Sequence, residues 1–325
     1  MVAKDSKTPA VELMNPYEKP PSVPVGQSIR TFLYNHETGA FMGRTASSWG
    51  KIGLFYLVFY GVLAALVAIC FWGFYQTIDP RIPTWQLNKS LIGTNPGLGF
   101  RPHPPSENVE STLIWYKATD SENFKYWVKS LEDFLHDYRT PGTTPGLGAN
   151  IYNCDYGNYP PSGQVCNVDI YKFHPCTEKN LFNYHKSAPC IFLKLNKIYG
   201  WRPDFYNNTD ELPSIMPESL KSHIRSLKAE DSRKLNTIWV SCEGENPADQ
   251  ENIGPIEIIP KEQGFPGYYY PFENAEGYLS PLVAVHFRRL TRGILINVEC
   301  KAWAKNIIHN RHEKLGSVHF ELMVD

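Results

Sequence analysis

Seven cysteines hold most of the covalent chemistry open to this chain. Six of them, Cys154, Cys166, Cys176, Cys190, Cys242 and Cys300, follow a long apolar run, and the seventh, Cys70, lies inside it. None of the six forms a CxxC pair, so the close thiolate spacing of a structural zinc site is missing and oxidation to disulfides is the chemistry that suits them. Six thiols allow many pairings. Cys154 and Cys166 bracket one Gly/Pro-rich loop, Cys176 and Cys190 bracket another, and Cys242 and Cys300 each fall at a predicted strand, so sequential pairing is the economical choice among them. On the loop-entropy model the two short loops would each contribute about 3 kcal/mol and the long one about 4 kcal/mol. Two N-x-[ST] acceptors, Asn88-Lys89-Ser90 and Asn207-Asn208-Thr209, offer a second covalent chemistry, N-glycosylation.

Catalytic signatures are missing from the sequence. It contains no P-loop, no GxSxG elbow, no HExxH and no DxD pair. A serine, histidine and acid could converge from distant positions, but no local pattern points to them. His309, His312 and His319 form one histidine cluster, of the kind ordinary in exposed polar loops rather than a metal site. No cofactor is implied. A net charge of -1 and a pI near 6.8 give no footprint for nucleic acid.

What must position these groups starts with residues 54–75, LFYLVFYGVLAALVAICFWGFY, 22 positions without a charge, an amide or a proline. At about 1.5 Å per residue such a helix covers about 33 Å, enough for the roughly 30 Å hydrocarbon core of a bilayer. The run follows a hydrophilic stretch too long for a cleavable signal, which predicts a retained signal anchor. The expected division is a tail over 1–51, a transmembrane helix over 52–77 and an ectodomain over 78–325. Arg44 and Lys51 on one flank are matched by Arg81 and Lys89 on the other, so charge does not orient the span. The cysteines and sequons do. Both chemistries need the lumenal or extracellular side, which predicts a cytoplasmic N-terminus.

The first 26 residues read as disordered tail. Phe32, Tyr34, Phe41, Met42 and Trp49 follow, amphipathic or apolar groups suited to the headgroup level of the lipid bilayer. Arg44-Thr45-Ala46-Ser47 matches a basophilic kinase site, and Ser47 or Ser48 equally suits a helix cap. Residues 79–105 read as a turn-rich stalk, and Pro-Gly-Leu-Gly at 96–99 and 145–148 as two Pro-Gly turns. A capping box at Thr119-Asp120-Ser121-Glu122 opens one helix whose stripe is Phe124, Trp127, Leu131, Phe134, Leu135 and Tyr138. Strands are expected over 112–117, 190–198, 237–242, 256–259, 282–288, 294–303 and 317–324, with a charged helical piece at 218–229. The ectodomain is therefore mainly β, with an added α-helix.

Two patterns suit partners. Tyr268, Tyr269, Tyr270 and Phe272 form an aromatic run broken by proline, and so many consecutive rings cannot all face inward, which suits an interface. Within the span, Tyr56 and Tyr60 share one helix face beside the small pair Gly61 and Ala65, a patterning expected of a span with a helix partner.

These residues resemble a known family, the β subunits of the sodium/potassium-transporting ATPase, in an invertebrate flavour. The resemblance rests on Phe32-x-Tyr34-Asn35, Met42-Gly43-Arg44-Thr45, Trp49, Leu54-Phe55-Tyr56, Phe59-Tyr60-Gly61 and the run from Asn95 to Pro102. It continues through Pro189-Cys190-Ile191-Phe192-Leu193-Lys194-Leu195-Asn196-Lys197, the Tyr-rich segment with Leu282-Val283-Ala284-Val285, and Glu299-Cys300-Lys301-Ala302. It departs from vertebrate members in a short loop between Cys154 and Cys166 and in Thr177-Glu178 after Cys176.

The resemblance implies a non-catalytic subunit with an immunoglobulin-like β-sandwich and three sequential disulfides. In such a subunit, Tyr56 and Tyr60 would face a catalytic α subunit in the membrane, and the region 268–285 would dock on its extracellular loops. It also implies type II insertion in the plasma membrane, support of α-subunit folding, delivery and potassium handling, and room for a small single-span regulatory subunit. A proton/potassium pump β subunit and a free-standing adhesion protein are the competing expectations.

Overall fold

The computed structural model describes residues 24–105, 107, 111–140 and 150–325. Of the disorder expected over residues 1–26, the part before residue 24 lies outside the described residues, as does the second Pro-Gly-Leu-Gly run, whereas Val25 and Gly26 are helical. The chain divides into two compact units, one up to Ile78 and one from Asp79 to Asp325.

In the first unit a short helix α1 (Val25–Leu33) leads into a hairpin of β1 (Tyr34–Asn35) and β2 (Ala40–Phe41), then into the long helix α2 (Ala46–Gln76). α2 is 31 residues long, about 46 Å at 1.5 Å per residue, and has a mean hydropathy of 2.5 over its most apolar window. It is the one helix among the described residues long and apolar enough to cross a membrane. Its N-cap is Thr45, so Ser47 and Ser48 lie inside the helix and neither caps it. The sequence reading assigned no element to α1. Nine residues with no side-chain cap give too few turns for its periodicity to stand out.

The second unit contains, in order, β3 (Leu98–Arg101), β4 (Leu113–Tyr116), α3 (Ser121–Arg139), β5 (Ile151–Tyr152), β6 (Val165–Cys166), β7 (Cys190–Leu195) and α4 (Glu218–Glu230). It continues with β8 (Thr237–Gly244), α5 (Pro247–Asn252), β9 (Ile256–Ile259), β10 (Gly264–Pro266), β11 (Leu282–Phe287), β12 (Ile296–Trp303) and β13 (Ser317–Val324). Two main sheets result, one ordered β10-β8-β12-β13-β4 and one ordered β3-β7-β11-β9, while β5 and β6 form a separate parallel pair. Every pairing within the main sheets is antiparallel except β13 with β4. The sheets face each other as a β-sandwich. Phe320 of β13 meets Phe100 of β3 at 5.1 Å between ring centroids and Phe287 of β11 at 6.2 Å.

Alternation along β3 then fixes what lies outside. Phe100 faces the sandwich, so Arg101 points away from it, and its guanidinium lies 5.6 Å from the Phe134 ring of α3. Lys194 of β7 approaches the same ring at 5.8 Å. α3 therefore covers the outer face of the smaller sheet, burying Phe124, Trp127, Val128, Leu131, Leu135 and Tyr138. Its N-cap is Asp120 rather than Thr119, because the Asp120 carboxylate accepts the Glu122 amide at 3.0 Å. On the opposite sheet, Leu220, Ile224 and Leu227 of α4 close over Trp239 and Trp303, which stand directly opposite each other on β8 and β12. With cover on both faces, β11 is buried at all six positions and reads as a nearly continuous apolar run, broken only by His286, rather than an alternating one.

Six strands escaped the sequence reading: the two-residue strands β1, β2, β5 and β6, too short to show alternation, and β3 and β10. β3 falls within the expected stalk, and β10 is an edge strand of three residues ending in Pro266. Gly264 in β10 is required by packing, since a Cβ there would stand 2.3 Å from the Ile238 carbonyl oxygen.

Candidate partner-docking surfaces

In α2 the Tyr56 and Tyr60 rings stack with centroids 5.9 Å apart and planes at 20°. Phe55 and Phe59 form a second stack at 6.0 Å and 17°. The two ladders run along adjoining helix faces because i and i+4 side chains lie one above the other. Both tyrosines are exposed, at 49% and 59%, and a Cβ at Gly61 would meet nothing within 4 Å. The hydroxyls add polar donors to an apolar helix, and Gly61 leaves a smooth notch in which another backbone could approach closely. Cys70 is exposed and unbonded on the same helix.

In the second unit the aromatic run divides by depth. Tyr269 is a core residue, 9% exposed, and its hydroxyl donates to the Asn167 carbonyl at 2.7 Å. Tyr270 packs edge-to-face on the buried Trp201 at 5.7 Å, and burial holds its phenol well above the usual tyrosine range. The docking roles expected of Tyr269 and Tyr270 are therefore corrected, since both rings pack internally, with the Tyr269 hydroxyl bonded to Asn167 and the Tyr270 hydroxyl buried. Tyr268 and Phe272 are half-buried. Tyr268 sits against Tyr156 at 5.4 Å and Tyr269 at 4.7 Å, and burial pushes its phenol up to about 12. Phe272 meets Tyr278 at 4.9 Å, and the Lys197 ammonium lies 5.1 Å from both of those rings. The backbone at this point is pinned by the Gly200 amide donating to the Phe272 carbonyl at 2.8 Å.

The far end of the expected docking region is also corrected. Leu282, Val283, Ala284 and Val285 belong to β11, between β7 and β9, and are buried. The part of the region with exposed surface is thus the Phe272, Tyr278 and Lys197 group, together with a neighbouring cleft of about 470 Å³ whose lining includes Tyr159, Gln164, Arg202 and Tyr268. Sequence reasoning gave Lys197 no docking role, and it held Tyr278 only as part of the region 268–285. Their signal was local, a lysine shortly after β7 and a tyrosine before Pro281, but only the fold brings them onto one ring.

Three disulfides close in the structure, Cys154–Cys166, Cys176–Cys190 and Cys242–Cys300. The last joins directly opposed residues of β8 and β12 and staples two strands of one sheet rather than the two sheets together. Asn88, in a short 3-10 turn over Leu87–Lys89, and Asn207, in a loop, are both exposed. Among the described residues no three His, Cys, Asp or Glu side chains converge in a group able to hold a metal. His309 is committed locally, with its Nε2 2.8 Å from the Ala302 carbonyl and its ring on Trp303 at 4.5 Å.

Comparison with known proteins matches this pattern of one apolar helix, a disulfide-bonded sandwich and an aromatic surface. Residues 22–320 match the family model described as "Sodium / potassium ATPase beta chain". The chain is 64% identical to the sodium/potassium-transporting ATPase subunit beta-2 of Drosophila melanogaster over 309 residues, 95% of each chain. It is 42% identical to subunit beta-1 of the same organism over 92% of this chain and 93% of that one. With the human subunit beta-2 the identity is 28%, over 93% and 95% of the two chains. The family model spans nearly the whole sequence, and the chain belongs to the sodium/potassium ATPase β-chain family.

Proposed function

We propose that this chain is the non-catalytic β subunit of a sodium/potassium-exchanging P-type ATPase, bound to a catalytic α subunit whose folding, delivery and potassium handling it supports. The observation that carries this is the 64% identity over 95% of the chain with a pump β subunit. The chain crosses the bilayer once. In the proposed arrangement 1–51 is cytoplasmic, 52–77 spans the plasma membrane and 78–325 is extracellular. Three disulfides and two exposed sequons, all after the span, support that orientation, since oxidation and glycosylation take place on the non-cytosolic side.

Tyr56, Tyr60 and Gly61 form the membrane contact in this reading, and Tyr268 and Phe272, with Tyr278 and Lys197, form the extracellular one. The test is affinity purification of the full chain from native membranes in mild detergent. An equimolar P-type ATPase α subunit is the expected partner, reduced at least several-fold by Tyr56→Ala with Tyr60→Ala. Recovery of the chain without such a subunit would reject the reading.

A further inference from the structure

α1 carries a feature that the pump-subunit reading does not use. Val25, Ile29, Phe32 and Leu33 occur at i, i+4, i+7 and i+8, which places them on one face about 100° wide, and Gln27, Ser28, Arg30 and Thr31 occupy the rest. None of these apolar side chains is buried. Their exposures run from 48% for Leu33 to 76% for Val25. Tyr34, Phe41, Met42 and Trp49, each at least 41% exposed, continue the apolar surface through the hairpin and into α2.

Hydrogen bonds tie α1 to the start of the membrane helix. The Met42 amide donates to the Leu33 carbonyl at 3.1 Å, Phe41 and Arg44 exchange backbone bonds at 2.9 and 3.1 Å, and Trp49 Nε1 of α2 donates to the Phe41 carbonyl at 2.9 Å. The level of this assembly follows from length. α2 is about 16 Å longer than the roughly 30 Å hydrocarbon core, so its polar first turns lie outside that core. Lys51 at the headgroup boundary leaves Ala46 only about 8 Å further out, comparable to the depth of the interfacial layer. The hairpin and the C-terminal end of α1 are held at that level.

We propose that α1 and its hairpin are an interfacial anchor, with α1 lying in the membrane surface on the N-terminal side of the span. Val25, Ile29, Phe32 and Leu33 enter the boundary between headgroups and acyl chains, and the occupant of this face is lipid. Charge favours an anionic leaflet. Between residues 24 and 53 there are three basic side chains, Arg30, Arg44 and Lys51, against one acid, Glu37. Such an anchor would fix the depth and rotation of α2 and so control which face Tyr56 and Tyr60 present.

The test uses the full chain, co-purified with its catalytic partner and reconstituted in phosphatidylcholine vesicles with or without phosphatidylserine. On a Cys70→Ser background, Ile29→Cys, Phe32→Cys, Gln27→Cys and Thr31→Cys are labelled with an environment-sensitive fluorophore. The labels are then challenged with spin-labelled lipid and with aqueous iodide. Ile29 and Phe32 probes are expected to be quenched several-fold more by lipid than the Gln27 and Thr31 probes, with the reverse order for iodide. Phosphatidylserine is expected to strengthen the lipid quenching, and Arg30→Gln with Arg44→Gln to remove that gain. Equal lipid quenching at all four positions would overturn the proposal. Shielding of Ile29 and Phe32 from both quenchers would also overturn it and assign the face to a protein partner. Failure of co-purification would instead count against the pump-subunit reading, because the probes can be read on the chain alone.

Discussion

Cys300 stands directly opposite Cys242 on adjacent antiparallel strands of one sheet, in the same ladder that aligns Trp303 with Trp239. The backbone ladder already sets the register of β8 and β12. The covalent link therefore acts chiefly on the unfolded chain, where it closes a segment of 58 residues.

Cys242→Ser or Cys300→Ser should lower ectodomain stability by about 4 kcal/mol, whereas Cys70→Ser, which removes an unbonded thiol from α2, should leave it unchanged. Surface delivery in transfected cells reports the difference. Equal delivery of all three variants would contradict the assignment of the long-loop disulfide as the stabilising one.

The aromatic run should split in function as it splits in depth. Tyr269→Ala removes a core ring and its bond to Asn167 and should cost about 3 to 5 kcal/mol of stability with or without a partner. Phe272→Ala should leave the melting temperature close to wild type while weakening α-subunit recovery by about 2 kcal/mol, a factor of about 30. Thermal melting paired with pull-down from membranes separates the two. Early melting of Phe272→Ala would make that ring part of the core.

Glycans are expected at Asn88 and Asn207. Deglycosylation should shift the gel mobility of the wild-type chain, and Asn88→Gln combined with Asn207→Gln should abolish the shift. A shift that survives the double substitution would contradict the proposed topology.

Four histidines, His103, His223, His286 and His309, have depressed pKa values with burial as the leading cause, His103 reaching about 4 with Arg101 and Lys194 nearby. Folded, each resists protonation, while the unfolded chain titrates near the ordinary value of about 6.5. Their contribution to stability is therefore complete above about pH 6.5 and is lost as pH falls from there towards the folded value, about 4 for His103. The melting temperature should fall across that window, and His309→Gln, which keeps a donor for the Ala302 carbonyl, should flatten the fall. An unchanged slope would remove His309 from the cause.

Local pattern alone determined the membrane helix, α3, α4 and the strands later found as β4, β7, β8, β9, β11, β12 and β13, because each carries its own periodicity or apolar run within a few residues. The cysteine positions and the long family motifs were likewise complete in the sequence. Strand order was not, since β4 pairs in parallel with β13 from the far end of the chain and no local signal encodes that partner. Nor could the pattern show β3 and β10, whose few residues become strands only when β7 and β8 offer them unpaired edges. The aromatic run shows the same division. The rings were visible as a group, but whether each lies inward or outward depends on Trp201, Asn167 and Lys197, distant residues that only the packed sandwich brings beside them. In α1 the sequence held an amphipathic stripe too short to register. The tertiary bonds from Leu33 to Met42 and from Trp49 to Phe41 set that stripe at the head of the membrane helix, because two hydrogen bonds across a hairpin constrain what nine residues of helix propensity cannot.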